Sequence, residues 1–295
     1  MRIALGILLS GLALGLGAAR AQDQDVGAQL KQGIEELLQK KPTQAQPAEP
    51  ARGPGLEELK GLLGGTSQEE EVAIGRQIAG NLLGAAPLVK DPALQQYVNE
   101  VGRWVATQSE RPDLDWHFGI IDSDDVNAFA IPGGYVYVTR GLYRLLTNEA
   151  ELAGVLGHEI GHVVRRHHLK LLKQSRLVDI GGKLLARQLG ENDRIRDLIG
   201  SGAEAVARSL DKRSEFEADR LGVVLAARAG YDPYGLPAVL QNLARFARDD
   251  GAVALLFKTH PLPDERLSQL DRAMAERFEG MPGQTLAGRL VRLPR

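Results

Sequence analysis

The chain has 295 residues, of which 43% are hydrophobic and 25% charged, enough to bury a full core and too apolar for disorder throughout. Lys and Arg number 36 against 38 Asp and Glu, a formal charge of -2, so no surplus positive charge exists to neutralise a run of phosphates and nucleic acid is excluded as a main partner. Cysteine is absent, which excludes disulfides, thiolate metal sites, iron–sulfur clusters and cysteine nucleophiles, and leaves His and carboxylates to hold any metal.

Residues 1–21 read as a secretory signal. Met1-Arg2 give a positive start, Ile3 to Gly17 an apolar run, and Ala19-Arg20-Ala21 a small-x-small cleavage site, so the mature chain is expected to begin at Gln22. The run is shorter than the ~20 residues of a spanning helix. No later stretch approaches that length, and the expectation is an exported, periplasmic protein with no transmembrane segment in its mature chain. Residues 22–65, rich in Gln, Pro, Ala and Gly, read as a flexible linker with a short helix around Leu30 to Gln39. The folded domain is expected over 66–295. It opens with acidic residues from Gln68 to Glu71, followed by Val72, Ile74, Ile78, Leu82 and Leu83 at helical spacing.

A second helix is expected from Pro92 to Gln108, then strands over Trp116 to Asp122, Ala128 to Ile131 and Tyr135 to Thr139, with Pro132-Gly133-Gly134 as the turn of a hairpin. Beyond Thr139 the pattern is helical: Asn148 to Arg166, Leu169 to Leu189, Arg194 to Leu210, Ser214 to Ala229, Pro233 to Arg248 and Pro263 to Arg277. Strands confined to one early block give an α+β class, mostly helical, with a small three-stranded sheet. No repeat occurs at 34 residues or any other period, so no TPR array is encoded.

The chemistry centres on His158-Glu159-Ile160-Gly161-His162, within a helix that Asn148 can cap with Glu151 three residues on. Histidines at i and i+4 share a face and can converge on one tetrahedral zinc, while Glu159 can serve as general base toward the water such a metal activates. An amphipathic helix that happens to carry two histidines is the competing reading, and the motif alone is moderately specific. A catalytic zinc takes a third protein ligand. On the Ser214 to Ala229 helix, Glu215 and Asp219 share a face, whereas Glu217 lies about 200° around from Glu215. Glu215 is therefore assigned as the ligand and Asp219 as the carboxylate that accepts the N–H of His158. Taken alone, these acids would read as a solvated face paired with Lys212, Arg213 and Arg220.

Four blocks together resemble the M48 family of zinc metallopeptidases: Asn127-Ala128-Phe129-Ala130-Ile131-Pro132-Gly133-Gly134, Glu151 through His162, Glu215-Phe216-Glu217-Ala218-Asp219, and Thr259-His260-Pro261-Leu262-Pro263-Asp264-Glu265-Arg266. The resemblance covers roughly Ser67 to Arg266 and is to the soluble periplasmic branch, without a TPR domain. It implies a zincin-like metallopeptidase domain, an endopeptidase with one zinc per chain, ligands His158, His162 and Glu215, and Glu159 as base. Unfolded or misassembled polypeptides are the implied substrates, in periplasmic protein quality control, with outer-membrane assembly machinery as a partner and a location peripheral to the outer membrane. His260 and Arg266 gain catalytic roles from the same resemblance. The His is expected to stabilise the oxyanion or to occupy the open metal position in a latent state, and Arg is a second chemically suitable donor. Without the resemblance, His260 belongs to a helix-entry loop and Arg266 to a surface ion pair.

The Asn127 to Thr139 hairpin is expected to present Asn127, Ala128 and Phe129 as an edge to which an extended peptide adds. His117, His167 and His168 receive structural rather than ligand roles. Residues 167–213 read either as a lid or as packing. Two rival functions stay open: a latent zinc-containing, chaperone-like binding module for exported or outer-membrane proteins, and a hydrolase acting on the cell wall.

Overall fold

The computed structural model describes residues 65–173, 210–246 and 250–293. The signal and linker expectations for residues 1–64 lie outside them, as do the helix expected from Arg194 up to residue 209 and most of the Leu169 to Leu189 helix, of which residues up to 173 are helical. No described helix is long and apolar enough to cross a membrane.

Helix α1 (Gln68–Ala85) starts at Ser67, whose hydroxyl accepts the Glu70 N–H while the Glu70 carboxylate accepts the Ser67 N–H, a reciprocal cap. Helix α2 (Pro92–Ala106) is capped by Asp91 and takes Pro92 at its first position, where no N–H is needed. Strands β1 (His117–Ile121), β2 (Ala128–Ile131) and β3 (Tyr135–Thr139) form one sheet in the order β1-β3-β2, with β2 antiparallel and β1 parallel to β3. The β2–β3 turn is possible because Gly133 and Gly134 adopt φ of 81° and 98°, a region that side chains with a Cβ rarely enter.

One sheet face, with Ile121, Ile131 and Tyr137, packs on Ala79 of α1. The other, with Ile120, Ala128, Ala130, Val136 and Val138, joins the main core with α2 and the helix that follows. The β1 edge is closed. Gln95 accepts the Ile120 N–H and donates to the Ile120 carbonyl, and Leu88 bridges Ile121. Among the described residues, β2 keeps a free edge.

Helix α3 (Arg140–Leu145) leads to α4 (Glu149–Val164), which is buried along its whole length. Its first residue, Glu149, accepts hydrogen bonds from the hydroxyls of Tyr97 and Tyr231 at 2.9 and 3.0 Å. Helix α5 (Lys212–Arg228), capped by Asp211, crosses α4 at a contact of small residues. A Cβ on Gly157 would stand 2.8 Å from the Gly222 carbonyl, one on Gly222 2.6 Å from the His158 nitrogen, and Gly161 lies against Ala218.

Helices α6 (Gly235–Leu243), α7 (Ala254–Thr259) and α8 (Pro263–Met274) complete the domain. Several elements depart from expectation. Helix α6 stops at Leu243 instead of Arg248, tightening into three-residue turns at Arg245 and Phe246. Helix α7 was not anticipated, and it delivers His260 at its C-cap in extended backbone. Helix α4 ends at Val164, and Arg166 takes a φ of 57° before the chain turns helical again.

Candidate metal centre

His158 and His162 stand one turn apart on α4, with their Nε2 atoms 3.0 Å from each other. The glycine-lined crossing sets α5 close enough for Glu215 to reach both: Oε1 is 3.5 Å from His162 Nε2 and Oε2 is 3.8 Å from His158 Nε2. From the C-cap of α7, His260 brings Nδ1 to 2.7 Å from Glu215 Oε2. Each of these four buried residues offers one ligand atom, and those atoms all lie within 4.8 Å of one another.

Glu215 Oε1 is buried and has no hydrogen-bond partner among the described residues. An orphaned carboxylate oxygen facing imidazole nitrogens is a group a cation satisfies, and three imidazoles with one carboxylate and no thiolate suit a borderline divalent ion such as zinc. Burial works against the Glu215 carboxylate, but His260, His158 and Arg266 outweigh it and hold its pKa below the ordinary value. His260 also loses by burial, yet Glu215 and Glu159 raise it overall. For Glu159, which is buried beside them, burial raises the pKa against the pull of His158 and His260.

Behind the cluster, Asp219 Oδ1 lies 2.9 Å from His158 Nδ1. Arg266 is a correction. Its guanidinium is buried and grips Asp219 with two bonds, Nε to Oδ2 at 3.0 Å and Nη2 to Oδ1 at 2.6 Å, while Nη2 stands 3.2 Å from His158 Nδ1. It is thus buried instead of a surface partner, and through Nη2 it stands at the nitrogen of His158 that faces Asp219. Burial of its charge is outweighed by Asp219, and that salt bridge holds the Asp219 carboxyl well below the usual range despite its own desolvation.

His260, in the short loop that enters α8, is buried among the ligand atoms. His117 stacks on Tyr135 and pairs with Asp115, outside the cluster. His168 stands 5.5 Å from His162 ring to ring, and burial pushes its pKa down to about 4. On β2, Thr139 N–H donates to the Asn127 carbonyl. The antiparallel alternation then turns the backbone groups of Phe129 and Ile131 toward β3 and those of Ala128 and Ala130 to the free edge. Of the residues named for that edge in the sequence, Ala128 has its backbone groups on it, together with Ala130, which was not named. The Asn127 side chain is fully buried with both amide atoms unpartnered among the described residues.

Residues 92–274 match the profile of peptidase family M48. The chain is 36% identical over 210 residues to the beta-barrel assembly-enhancing protease of Yersinia pestis, covering 68% of this chain and 43% of that protein. The protease of the same name from Escherichia coli is 33% identical over 207 residues, covering 68% and 42%. Mitochondrial metalloendopeptidase OMA1 of Arabidopsis thaliana is 31% identical over 169 residues, covering 57% and 33%. The match spans less than half the length of these relatives. A family profile that covers more than half of the chain, laid over a buried cluster able to hold a metal, shows that the chain belongs to peptidase family M48, the metallopeptidases.

Proposed function

We propose that the protein is a zinc-dependent endopeptidase that cleaves internal bonds of unfolded or misassembled polypeptides in the periplasm. The observation that carries this reading is the buried convergence of His158, His162 and Glu215 beside Glu159. His158, His162 and Glu215 would hold a zinc ion, which would supply Lewis-acid chemistry toward water and the scissile carbonyl. Glu159, its pKa raised by burial, takes the proton of the attacking water and delivers it to the leaving amine. Asp219, gripped by Arg266, keeps the proton of His158 on Nδ1 and leaves Nε2 free as a donor to metal. The open edge at Ala128 and Ala130 holds an extended peptide through backbone bonds, which tolerates many side chains. The name of the bacterial relatives supports clients among outer-membrane β-barrel proteins and a partner in their assembly machinery.

A second reading, a latent binding module, is favoured by one contact: His260 sits on Glu215 at 2.7 Å, where a fourth ligand would close the site. One experiment separates the two readings. Zinc content and casein cleavage are measured on the chain from Gln22 onward as wild type, Glu159→Gln and His260→Ala. A peptidase shows about one zinc per chain in all three, with cleavage falling ~10²- to 10⁴-fold in Glu159→Gln. Cleavage that appears only in His260→Ala marks latency, and equal activity in wild type and Glu159→Gln overturns the assignment.

A further inference from the structure

The two metal-facing histidines are braced differently. His158 has a carboxylate behind it. His162 has another imidazole: its Nδ1 lies 3.0 Å from His167 Nδ1, and His167 Nε2 lies 3.6 Å from Glu217 Oε2. His162 and His167 are both buried, their rings 5.1 Å apart and near perpendicular at 73°.

The chain makes this contact by breaking its helix. Continued helix would carry His167 about 140° around the axis from His162. Instead Arg166 adopts a φ of 57°, a left-handed position that a side chain with a Cβ rarely takes. It is held there by an ion pair from its Nε to Glu71 Oε2 at 2.9 Å. Glu71 is itself buried and fixed by Arg111 and by the Gly133 N–H. On the far side, Arg165 Nε reaches Glu217 Oε1 at 3.0 Å.

We propose that His167 is a positioning residue for the metal ligand His162, accepting its Nδ1–H and thereby fixing the tautomer and ring plane in which Nε2 meets the metal. A contact between two Nδ1 atoms requires one donor and one acceptor. With Nε2 committed to metal, His162 must be the donor, so His167 carries its single proton on Nε2, on the side where Glu217 stands. Glu217, assigned no role from its position on the helix, holds His167 from behind. The inference rests on the zinc reading above.

The test uses the full chain from Gln22 and two nearly isosteric variants, His167→Leu, which removes the acceptor, and His167→Asn, which offers a carbonyl oxygen near the place of Nδ1. Zinc affinity is read by chelator competition, and the metal-free melting temperature shows that each variant folds. The Leu variant is expected to bind zinc about 10- to 100-fold more weakly, with Asn recovering most of the loss. Cobalt-substituted protein gives a second readout, its absorption bands shifting in the Leu variant and returning in the Asn variant. Wild-type affinity in the Leu variant, or equal weakening in both, overturns the role of His167 and leaves the zinc reading standing. A wild-type chain without zinc affinity overturns both.

Discussion

Asp219 shows what a single buried charge contributes. It is desolvated, contacts His158 and is held by Nε and Nη2 of Arg266, so neither charge faces a low-dielectric interior alone. Replacing it with Asn leaves the guanidinium uncompensated. The expected loss is ~3–5 kcal/mol in thermal or urea denaturation of the metal-free protein, on top of a ~10- to 100-fold loss in zinc affinity by chelator competition. Retained stability in Asp219→Asn would show that the pair is not felt. Legibility at this scale follows sequence distance. His158, Glu159 and His162 could be read because helical period alone fixes their faces, and Glu215 could be separated from Glu217 by the same geometry. Arg266 could not, since it meets Asp219 across 47 residues and only the docking of α8 brings them together. His167 was hidden by the left-handed turn at Arg166, a conformation that an Arg does not announce.

Between elements, the crossing of α4 and α5 decides whether the ligands meet at all. A methyl group at Gly222 would collide with backbone of His158 rather than with a side chain able to move aside. Gly222→Ala is therefore expected to cost about 1–3 kcal/mol, measured by denaturation, and to lower zinc occupancy at fixed metal concentration. The N-terminal end of α4 carries a pH-dependent contact. Burial, and then Glu149, push the hydroxyls of Tyr97 and Tyr231 well above their ordinary value of 10. Both phenols keep their protons in the fold when the unfolded chain loses them, so their contribution is full below pH 10 and drains away as pH rises further. Melting temperatures from pH 8 to 11 are expected to fall less steeply in the Tyr97→Phe, Tyr231→Phe double variant than in wild type. The glycine pair made the hairpin turn readable, because positive φ selects glycine. The parallel pairing of β1 and the closing of its edge by Gln95 were not readable, since both depend on where α2 packs.

At the scale of the molecule, the α+β class followed from the order of helical and strand patterns, while the helix ends after residue 243 depended on tertiary packing that periodicity does not encode. The candidate ligands come from α4, α5 and the end of α7, so a bound ion ties three separate elements to each other. Metal that binds the folded state alone adds stability by mass action, about 2.7 kcal/mol when free metal is 100 times its dissociation constant. Treatment with a strong chelator is expected to lower the melting temperature together with activity, and added zinc to restore both. An unchanged melting curve would mean that the ion is not part of the fold.

The reach from Arg266 back to His158, 108 residues along the chain, also has a meaning in time. A ribosome makes His158 long before it makes the residue that braces it through Asp219. A nascent or prematurely terminated chain lacking α8 carries Asp219 without its cation and the ligand face without its last wall. Such a fragment leaves Asp219 without the guanidinium that compensates its charge in the complete fold. The bracing of the cluster through Asp219 is therefore completed only when α8 has been made and docked, near the end of the described fold.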